Sequence, residues 1–127
     1  METTEKINRI LVCEDNEVII KVIEYKLRHD GYIVEIAKDG NSAIEKLNQT
    51  NYDLILTDLL MPFIGGLELI NKIRNELKSN VPIIVLSALV QENTIIEALK
   101  LGADDYITKP FSPNELSLRV KRLLIRK

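Results

Sequence analysis

Short apolar runs alternate along the chain with longer segments in which apolar residues recur at helical spacing. This alternation is typical of successive strand–helix–strand units, and it predicts an α/β domain. Strands are predicted at 10–13, 33–37, 54–57, 83–86 and 106–108. A helix is predicted after each strand, and the third helix is expected to follow Gly65 and Gly66 and to continue to Leu77.

Several helix ends carry recognisable signals. Ser42 with Glu45 three residues later can form a capping box, which predicts the start of the second helix. Gly102 is expected just beyond the fourth helix, because glycine readily adopts the left-handed conformation that ends many helices. Ser112 followed by Pro113 predicts the start of the fifth helix.

The pattern of apolar residues also predicts which strands lie at the centre of the sheet. The runs at 10–13, 54–56 and 83–86 are apolar on both faces, so helices must cover both sides. Glu35 interrupts the second run and Thr108 interrupts the fifth, which favours edge positions for these strands. With right-handed crossovers, these constraints predict a flavodoxin-like, doubly wound parallel sheet of five strands in the order 2-1-3-4-5, with five helices.

Composition and charge limit the classes of function. The 127 residues, 46% hydrophobic and 28% charged, fit a single domain over 1–127, with 1–6 expected as a frayed tail and no effector domain in the chain. Seventeen basic and nineteen acidic side chains give a net charge of −2, which argues against direct nucleic acid binding. No apolar run is long enough for a membrane helix, and a single Cys13 without a signal peptide favours the cytoplasm.

Polar residues follow four of the predicted strands, and they are Glu14, Asp15, Asp58, Ser87 and Lys109. The carboxyl ends of parallel strands meet at one edge of a sheet, so these side chains are expected to converge. Three carboxylates repel one another unless a cation joins them, and their oxygens favour Mg²⁺. Each residue alone can be explained as a helix cap, a strand end or a solvated turn. Together they favour a site in which Asp58 attacks phosphorus.

Four stretches carry a family resemblance, at 11–16 (LVCEDN), 53–62 (DLILTDLLMP), 82–88 (PIIVLSA) and 102–111 (GADDYITKPF). In this order they resemble the receiver domain of bacterial two-component response regulators, over essentially the whole chain. The resemblance implies that Asp58 accepts a phosphoryl group from a phosphohistidine on a sensor histidine kinase or a phosphotransfer protein. It implies a signalling module rather than an enzyme, apart from the promotion of its own phosphorylation and dephosphorylation.

The resemblance further implies a magnesium site. Asp15, Asp58 and the backbone carbonyl of Leu60 are expected to bind Mg²⁺, with Glu14 acting on the metal mainly through water. Gly65 stands where the family commonly has Asp, so the loop after Asp58 is expected to be more mobile, although no proposed ligand is lost.

The resemblance also implies a switch. Ser87 and Lys109 are expected to contact the phosphoryl oxygens, and the bond between Lys109 and Pro110 is expected to be cis. Movement of the Ser87 hydroxyl toward a phosphoryl group would vacate space that Tyr106 can enter. Without the resemblance, Tyr106 would be an ordinary residue of an edge strand.

Within the family, the stretch 109–116 and the basic end of the chain are most similar to transcription factors with a winged-helix DNA-binding domain. That class dimerises through the fourth helix, fifth strand and fifth helix, so a homodimer through this face is expected. The charged pairs of such a dimer would come from Asp104, Asp105, Glu115, Arg119 and Arg122. Ile95 departs from the class, which tends to have a basic partner for Glu115 at this position.

Two other functions stay open at this point. A pseudo-receiver would be a phosphorylation-independent scaffold, although all the proposed phosphorylation residues are present. A haloacid dehalogenase-like phosphatase also uses an Asp nucleophile and Mg²⁺, but Leu60 stands where its second acidic residue is needed. An FMN site is disfavoured because Glu14 and Asp15 would repel a phosphate.

Overall fold

A computed structural model describes residues 6–125, so the predicted tail lies, except for Lys6, outside the described residues. Five parallel strands form one sheet in the predicted order 2-1-3-4-5. The strands are β1 (Arg9–Cys13), β2 (Ile33–Ala37), β3 (Leu54–Thr57), β4 (Ile83–Ser87) and β5 (Asp105–Thr108). The helices are α1 (Glu17–His29), α2 (Gly40–Gln49), α3 (Gly66–Asn71), α4 (Glu92–Leu101) and α5 (Pro113–Ile125), and a π-helical turn, Lys72–Glu76, follows α3. Within residues 6–125 no helix is both long and apolar enough to cross a membrane.

The core consists of two apolar layers, one on each face of the sheet. Successive side chains of a strand point to opposite faces, so each central strand contributes to both layers. On one face the strands pack against α1 and α5, through residues that include Ile23 and Val120. On the other face they pack against α2, α3 and α4, through Ala43, Ile70 and Ala98. Helices therefore cover both sides of the sheet, as its apolar central strands require.

The edge strands are wetter than the central ones, which confirms the predicted strand order. Every residue of β3 and β4 is buried, whereas β2 and β5 contain half-buried and exposed positions. Glu35 of β2 accepts a hydrogen bond from Tyr52 Oη at 2.6 Å and also contacts the guanidinium of Arg9. The hydrogen bond from Tyr52, followed by the contact with Arg9, outweighs burial and lowers the pKa of Glu35. The carboxylate of Glu35 is therefore accommodated at the edge of the sheet by two polar partners.

The helix ends agree with the sequence in two places and differ in one. Ser112 Oγ accepts the backbone N–H of Glu115 at 3.3 Å at the start of α5. Gly102 ends α4 with a φ of 125°, in the left-handed region that favours glycine. The predicted capping box of α2 is wrong, because Asp39 is the N-cap and its carboxylate accepts the N–H of Ser42 at 2.7 Å. A carboxylate at this place also interacts favourably with the helix dipole.

The third helix also differs from the prediction, which continued it to Leu77. Its α-helical part ends at Asn71, and the chain continues in a π-helical turn in which the N–H of Leu77 donates to the carbonyl of Lys72 at 2.9 Å. The turn carries Arg74, whose guanidinium donates to the carbonyl of Gly102 from two nitrogens, at 2.9 and 3.1 Å. Such turns widen a helix locally, and the spacing of apolar residues does not reveal them.

Candidate functional site

The site residues predicted from the sequence lie where the strands end. Glu14 and Asp15 directly follow β1, Asp58 follows β3, Ser87 ends β4 and Lys109 follows β5. The sheet ladder continues to these positions, because the N–H of Asp58 donates to the carbonyl of Cys13 at 3.0 Å and the N–H of Lys109 donates to that of Ser87 at 2.9 Å. The expected cis peptide bond between Lys109 and Pro110 is present. The fold therefore collects these residues from four separate parts of the sequence.

An ammonium group bridges two carboxylates at the centre of this edge. Lys109 Nζ lies 2.8 Å from Asp58 Oδ2 and 2.9 Å from Glu14 Oε1, and the Lys109 side chain is only 13% exposed. Burial lowers the pKa of Lys109, but hydrogen bonds and charge from Asp58 and Glu14 outweigh it, so the pKa is raised. Lys109 therefore remains protonated and places a positive charge beside Asp58.

Backbone donors fix the remaining carboxylate oxygens. The N–H of Leu60 donates to Asp58 Oδ1 at 3.2 Å, and the N–H of Asn16 donates to Glu14 Oε2 at 3.1 Å. Each carboxylate is thus held at both oxygens, one by Lys109 and one by the main chain. Sequence reasoning did not identify the Leu60 N–H, because a backbone donor has no residue type that would mark it.

The residues next to Asp58 on β3 and β1 are buried. Thr57 Oγ1 donates to the carbonyl of Asp58 at 2.8 Å, and both Thr57 and Cys13 are fully buried. Burial raises the pKa of the Cys13 thiol to about 12, although a hydrogen bond with Thr57 opposes the shift. Cys13 is therefore a protonated residue of the core, at the end of the apolar run 10–13.

Ser87 and Asp15 lie beside the bridge without joining it. Ser87 is fully buried, and its hydroxyl oxygen accepts the N–H of Leu89 at 3.2 Å. Asp15 is exposed at the rim next to Glu14. Among residues 6–125, the hydrogen-bonded group on Lys109 consists of Glu14 and Asp58.

The donor set of this edge is suited to a hard cation. Within residues 6–125, no three His, Cys, Asp or Glu side chains are grouped so that they could hold a metal ion, and Lys109 is paired with two of the three carboxylates. Glu14, Asp15 and Asp58 nevertheless bring three negative charges to an edge where Lys109 supplies one positive charge. Carboxylate and carbonyl oxygens with a residual negative charge are the surroundings that Mg²⁺ prefers.

Tyr106 connects this edge to α4. Its hydroxyl donates to the carbonyl of Leu89 at 2.6 Å, and its half-buried ring packs against the apolar layer that contains Ala98. The N–H of the same Leu89 donates to Ser87. A chain of contacts therefore runs from Ser87 through the β4–α4 loop to Tyr106, and movement of Tyr106 on phosphorylation stays a prediction.

Comparison with known sequences gives a consistent result. The family model described as the response regulator receiver domain matches residues 10–121. The chain is 42% identical over 118 residues to the alkaline phosphatase synthesis transcriptional regulatory protein PhoP of Bacillus subtilis, covering 93% of this chain and 49% of that protein. It is 43% identical over 118 residues to the transcriptional regulatory protein ResD of the same organism, covering 93% and 48%. The chain spans about half the length of these curated relatives.

Solved structures agree with the sequence matches. The receiver domain of the Francisella response regulator 1452 is 40% identical with a TM-score of 0.88, and the match covers 94% of this chain and 98% of that one. The receiver domain of the sensor histidine kinase PA1611 from Pseudomonas aeruginosa PAO1, with a magnesium ion in its active site cleft, is 36% identical with a TM-score of 0.84 over 94% and 98%. Fold, site geometry and relatives agree that this chain belongs to the family of response regulator receiver domains.

Proposed function

We propose that Asp58 is the phosphoacceptor of this domain, and that it takes a phosphoryl group from a phosphohistidine on a sensor histidine kinase or a phosphotransfer protein. The observation that carries this proposal is the Lys109 ammonium 2.8 Å from Asp58 Oδ2, at the carboxyl edge of the sheet. A carboxylate oxygen attacks phosphorus while the bond from phosphorus to the imidazole nitrogen breaks. The imidazole keeps the electron pair and takes up a proton, and Asp58 becomes an acyl phosphate.

Positive charge around the transferred group is the main requirement of this reaction. Lys109 supplies one charge from its position beside Asp58. Mg²⁺ would supply the rest, held by Asp15, Asp58 and the carbonyl of Leu60, with Glu14 reached through water. The magnesium ion in the cleft of the related PA1611 receiver domain supports this assignment.

The contacts of Ser87 suggest how phosphorylation would reach α4. The Ser87 hydroxyl now accepts the N–H of Leu89. If the Ser87 side chain moved toward a phosphoryl oxygen, its hydroxyl oxygen would leave the N–H of Leu89 and vacate space that Tyr106 can enter. The output face formed by α4, β5 and α5 would then shift its population of conformations.

A groove beside Lys109 suits the phosphohistidine partner. This open groove has a volume of about 400 Å³ and lies between α1 and the loop that leads to α5. It is lined by Val18, Ile19, Val22, Ala88, Lys109, Pro110 and Phe111. An apolar groove next to the acceptor can hold one face of an amphipathic helix. We therefore assign recognition of the kinase or phosphotransfer protein to this groove.

The output proposed for the whole protein is transcriptional control through a homodimer. PhoP and ResD are transcriptional regulatory proteins, which supports this output, and the domain itself is not expected to bind nucleic acid. The proposed dimer face is α4, β5 and α5, where Arg119 and Arg122 both bind Asp105 of the same chain. Pairs across a dimer would have to replace these contacts, so charge alone would add little affinity.

Intact mass after incubation with acetyl phosphate and Mg²⁺ tests the proposal. One phosphoryl group is expected on the wild-type chain and on Asp53→Asn, an acidic residue at the opposite end of β3. None is expected on Asp58→Asn or in the presence of a chelator. An adduct that survives Asp58→Asn would move the acceptor elsewhere, and no adduct under any condition would favour a phosphorylation-independent scaffold. Size analysis of the phosphorylated sample tests the dimer.

A further inference from the structure

The loop from Asp58 to Ile64, here called the acceptor loop, is gripped by two glycines that each begin a helix. Gly40 is the first residue of α2 and Gly66 is the first residue of α3. Both are buried, and neither has a φ in the left-handed region. Backbone conformation therefore does not explain why glycine stands at these positions.

Space explains it instead. A Cβ atom on Gly40 would lie 2.3 Å from Ile64 Cβ and 2.4 Å from the Ile64 carbonyl oxygen. A Cβ atom on Gly66 would lie 2.4 Å from the Asp58 carbonyl oxygen. Neither contact is possible, so the acceptor loop passes where a side chain would otherwise be.

Of the two, Gly40 comes from a part of the chain that has no other role at the site. Its N–H donates to the carbonyl of Pro62 at 3.3 Å, and the same carbonyl accepts the N–H of Ile64 at 2.9 Å. The first turn of α2 is itself fixed, because Asp39 caps it through the N–H of Ser42. An added side chain would therefore displace the acceptor loop rather than the helix.

We propose that Gly40 is a positioning residue for phosphoryl transfer, an inference that rests on the function proposed above. Because Gly40 has no side chain, the acceptor loop packs directly against the first turn of α2. This packing fixes the position of the loop, and therefore the position of the Leu60 N–H that donates to Asp58 Oδ1. The Leu60 carbonyl, the proposed metal ligand, moves with the same segment. α2 is thereby part of the active-site geometry although it supplies no group to the reaction.

The expected size of the effect follows from the contacts. The Ile64 Cβ would have to retreat by roughly 1.2 to 1.7 Å from a Cβ at position 40 to reach an ordinary carbon–carbon separation. Misplacement of a reacting group by about 1 Å can slow a reaction by roughly 100-fold. Helix propensity alone would favour alanine over glycine at an ordinary helical position. A slower phosphorylation of Gly40→Ala would therefore be due to the overlap with Ile64.

Gly40→Ala in the full chain tests the inference through two independent measurements. Backbone amide NMR shifts are expected to change at residues 59–64, and this result does not depend on phosphorylation. Isothermal titration with Mg²⁺ and the rate of acyl phosphate formation are expected to show losses of about 10-fold and about 10- to 100-fold. Unchanged amide shifts in the acceptor loop of Gly40→Ala would overturn the inference even if Asp58 is the acceptor. If the amides shift but the wild-type chain takes no phosphoryl group, only the proposed function is contradicted.

Two further variants separate positioning from general loss of stability. Gly31→Ala is the matched control, because Gly31 has a φ of 99° and nothing lies within 4 Å of the added Cβ. It is expected to lower the melting temperature and leave Mg²⁺ affinity unchanged; an equal loss of affinity in both variants would contradict the inference. Ile64→Gly removes the side chain that lies against Gly40 and adds no overlap, so it loosens the acceptor loop in a second chain if Gly40→Ala does not fold. It is expected to shift the same amides and weaken Mg²⁺ binding, and wild-type behaviour would overturn the inference.

Discussion

The strand that carries the acceptor and the helix α4 are packed in opposite ways. All four residues of β3 are buried, and the loop that follows is gripped by Gly40 and Gly66. Only Ala98 is buried among the ten residues of α4, while Ile96 and Leu99 are each 43% exposed. The side chain of Gln91, the N-cap of α4, makes no capping hydrogen bond. The proposed phosphoryl-transfer site thus follows a fully buried strand, whereas the proposed output face includes a helix with few buried residues.

The two ends of α4 differ as well. The first turn follows the loop that Ser87 and Tyr106 hold through Leu89. The last turn ends at Gly102, whose carbonyl accepts two hydrogen bonds from Arg74. Segments with few buried contacts open at low free energy, so α4 is expected to move at its first turn and to pivot near Gly102.

Truncation of one apolar residue in β3 and one in α4 measures this contrast most directly. Leu56→Ala in β3 is expected to lower the free energy of unfolding by about 2–5 kcal/mol, because it leaves a cavity between fixed neighbours. Ile96→Ala on α4 is expected to cost about 1 kcal/mol or less, since the side chain is already partly in water. Urea denaturation of both variants provides the comparison, and similar costs would show that α4 is as firmly packed as the sheet.

Loss of the proposed pivot should have the next largest effect. Arg74→Met removes the donors to the carbonyls of Gly102 and Ser79, and it is expected to lower the free energy of unfolding by about 2 kcal/mol. Hydrogen exchange should accelerate in the last turn of α4 as well as in the first. If exchange rises evenly over the whole domain, Arg74 only stabilises the fold and is not a pivot.

Arg28→Met is the matched control for this substitution. Arg28 also donates to a backbone carbonyl, that of Val34, and pairs with Glu24, but its side chain is 57% exposed. The expected loss is about 0.5 kcal/mol or less, because solvent replaces these contacts. Hydrogen exchange in α4 should stay at the wild-type rate.

Tyr106→Phe addresses the other end of α4. It removes the hydroxyl that donates to the carbonyl of Leu89 and keeps the ring. The free energy of unfolding is expected to fall by about 1 kcal/mol, and hydrogen exchange in the β4–α4 loop is expected to rise. Tyr25→Phe, on a side chain that is 75% exposed, should change neither quantity. Unchanged loop exchange in Tyr106→Phe would mean that Tyr106 does not hold the loop.

The sequence predicts the sheet and the residues at its carboxyl edge better than the ends of the helices and the contacts between distant segments. Strand positions, strand order and the convergence of Glu14, Asp58 and Lys109 follow from local apolar runs and from the geometry of parallel sheets. The cap of α2 is Asp39 and not Ser42, and the sequence does not distinguish them, because both residue types cap helices and pattern alone does not fix the first turn.

Two features cannot be predicted from the sequence, because they depend on contacts between segments that are distant along the chain. The grip of Gly40 on Ile64 and that of Arg74 on Gly102 join residues more than twenty positions apart. Glycine outside the left-handed region and arginine in a polar stretch both occur at many ordinary surface positions, so neither residue type marks a close approach. Only the packed structure shows that the two segments touch at these residues.

The smallest expected effect concerns the lifetime of the proposed acyl phosphate, which we expect the side chain of Leu60 to influence. Its side chain is 61% exposed and apolar, so it offers an attacking water no hydrogen bond. Leu60→Gln would provide an amide on a gripped loop, and dephosphorylation is expected to accelerate about fivefold, which is less than about 1.4 kcal/mol in the barrier. Leu60→Met, apolar and of similar volume, should leave the rate unchanged when followed by intact mass after removal of acetyl phosphate. If Leu60→Met accelerates hydrolysis as much as Leu60→Gln, shielding by Leu60 rather than missing polarity controls the lifetime.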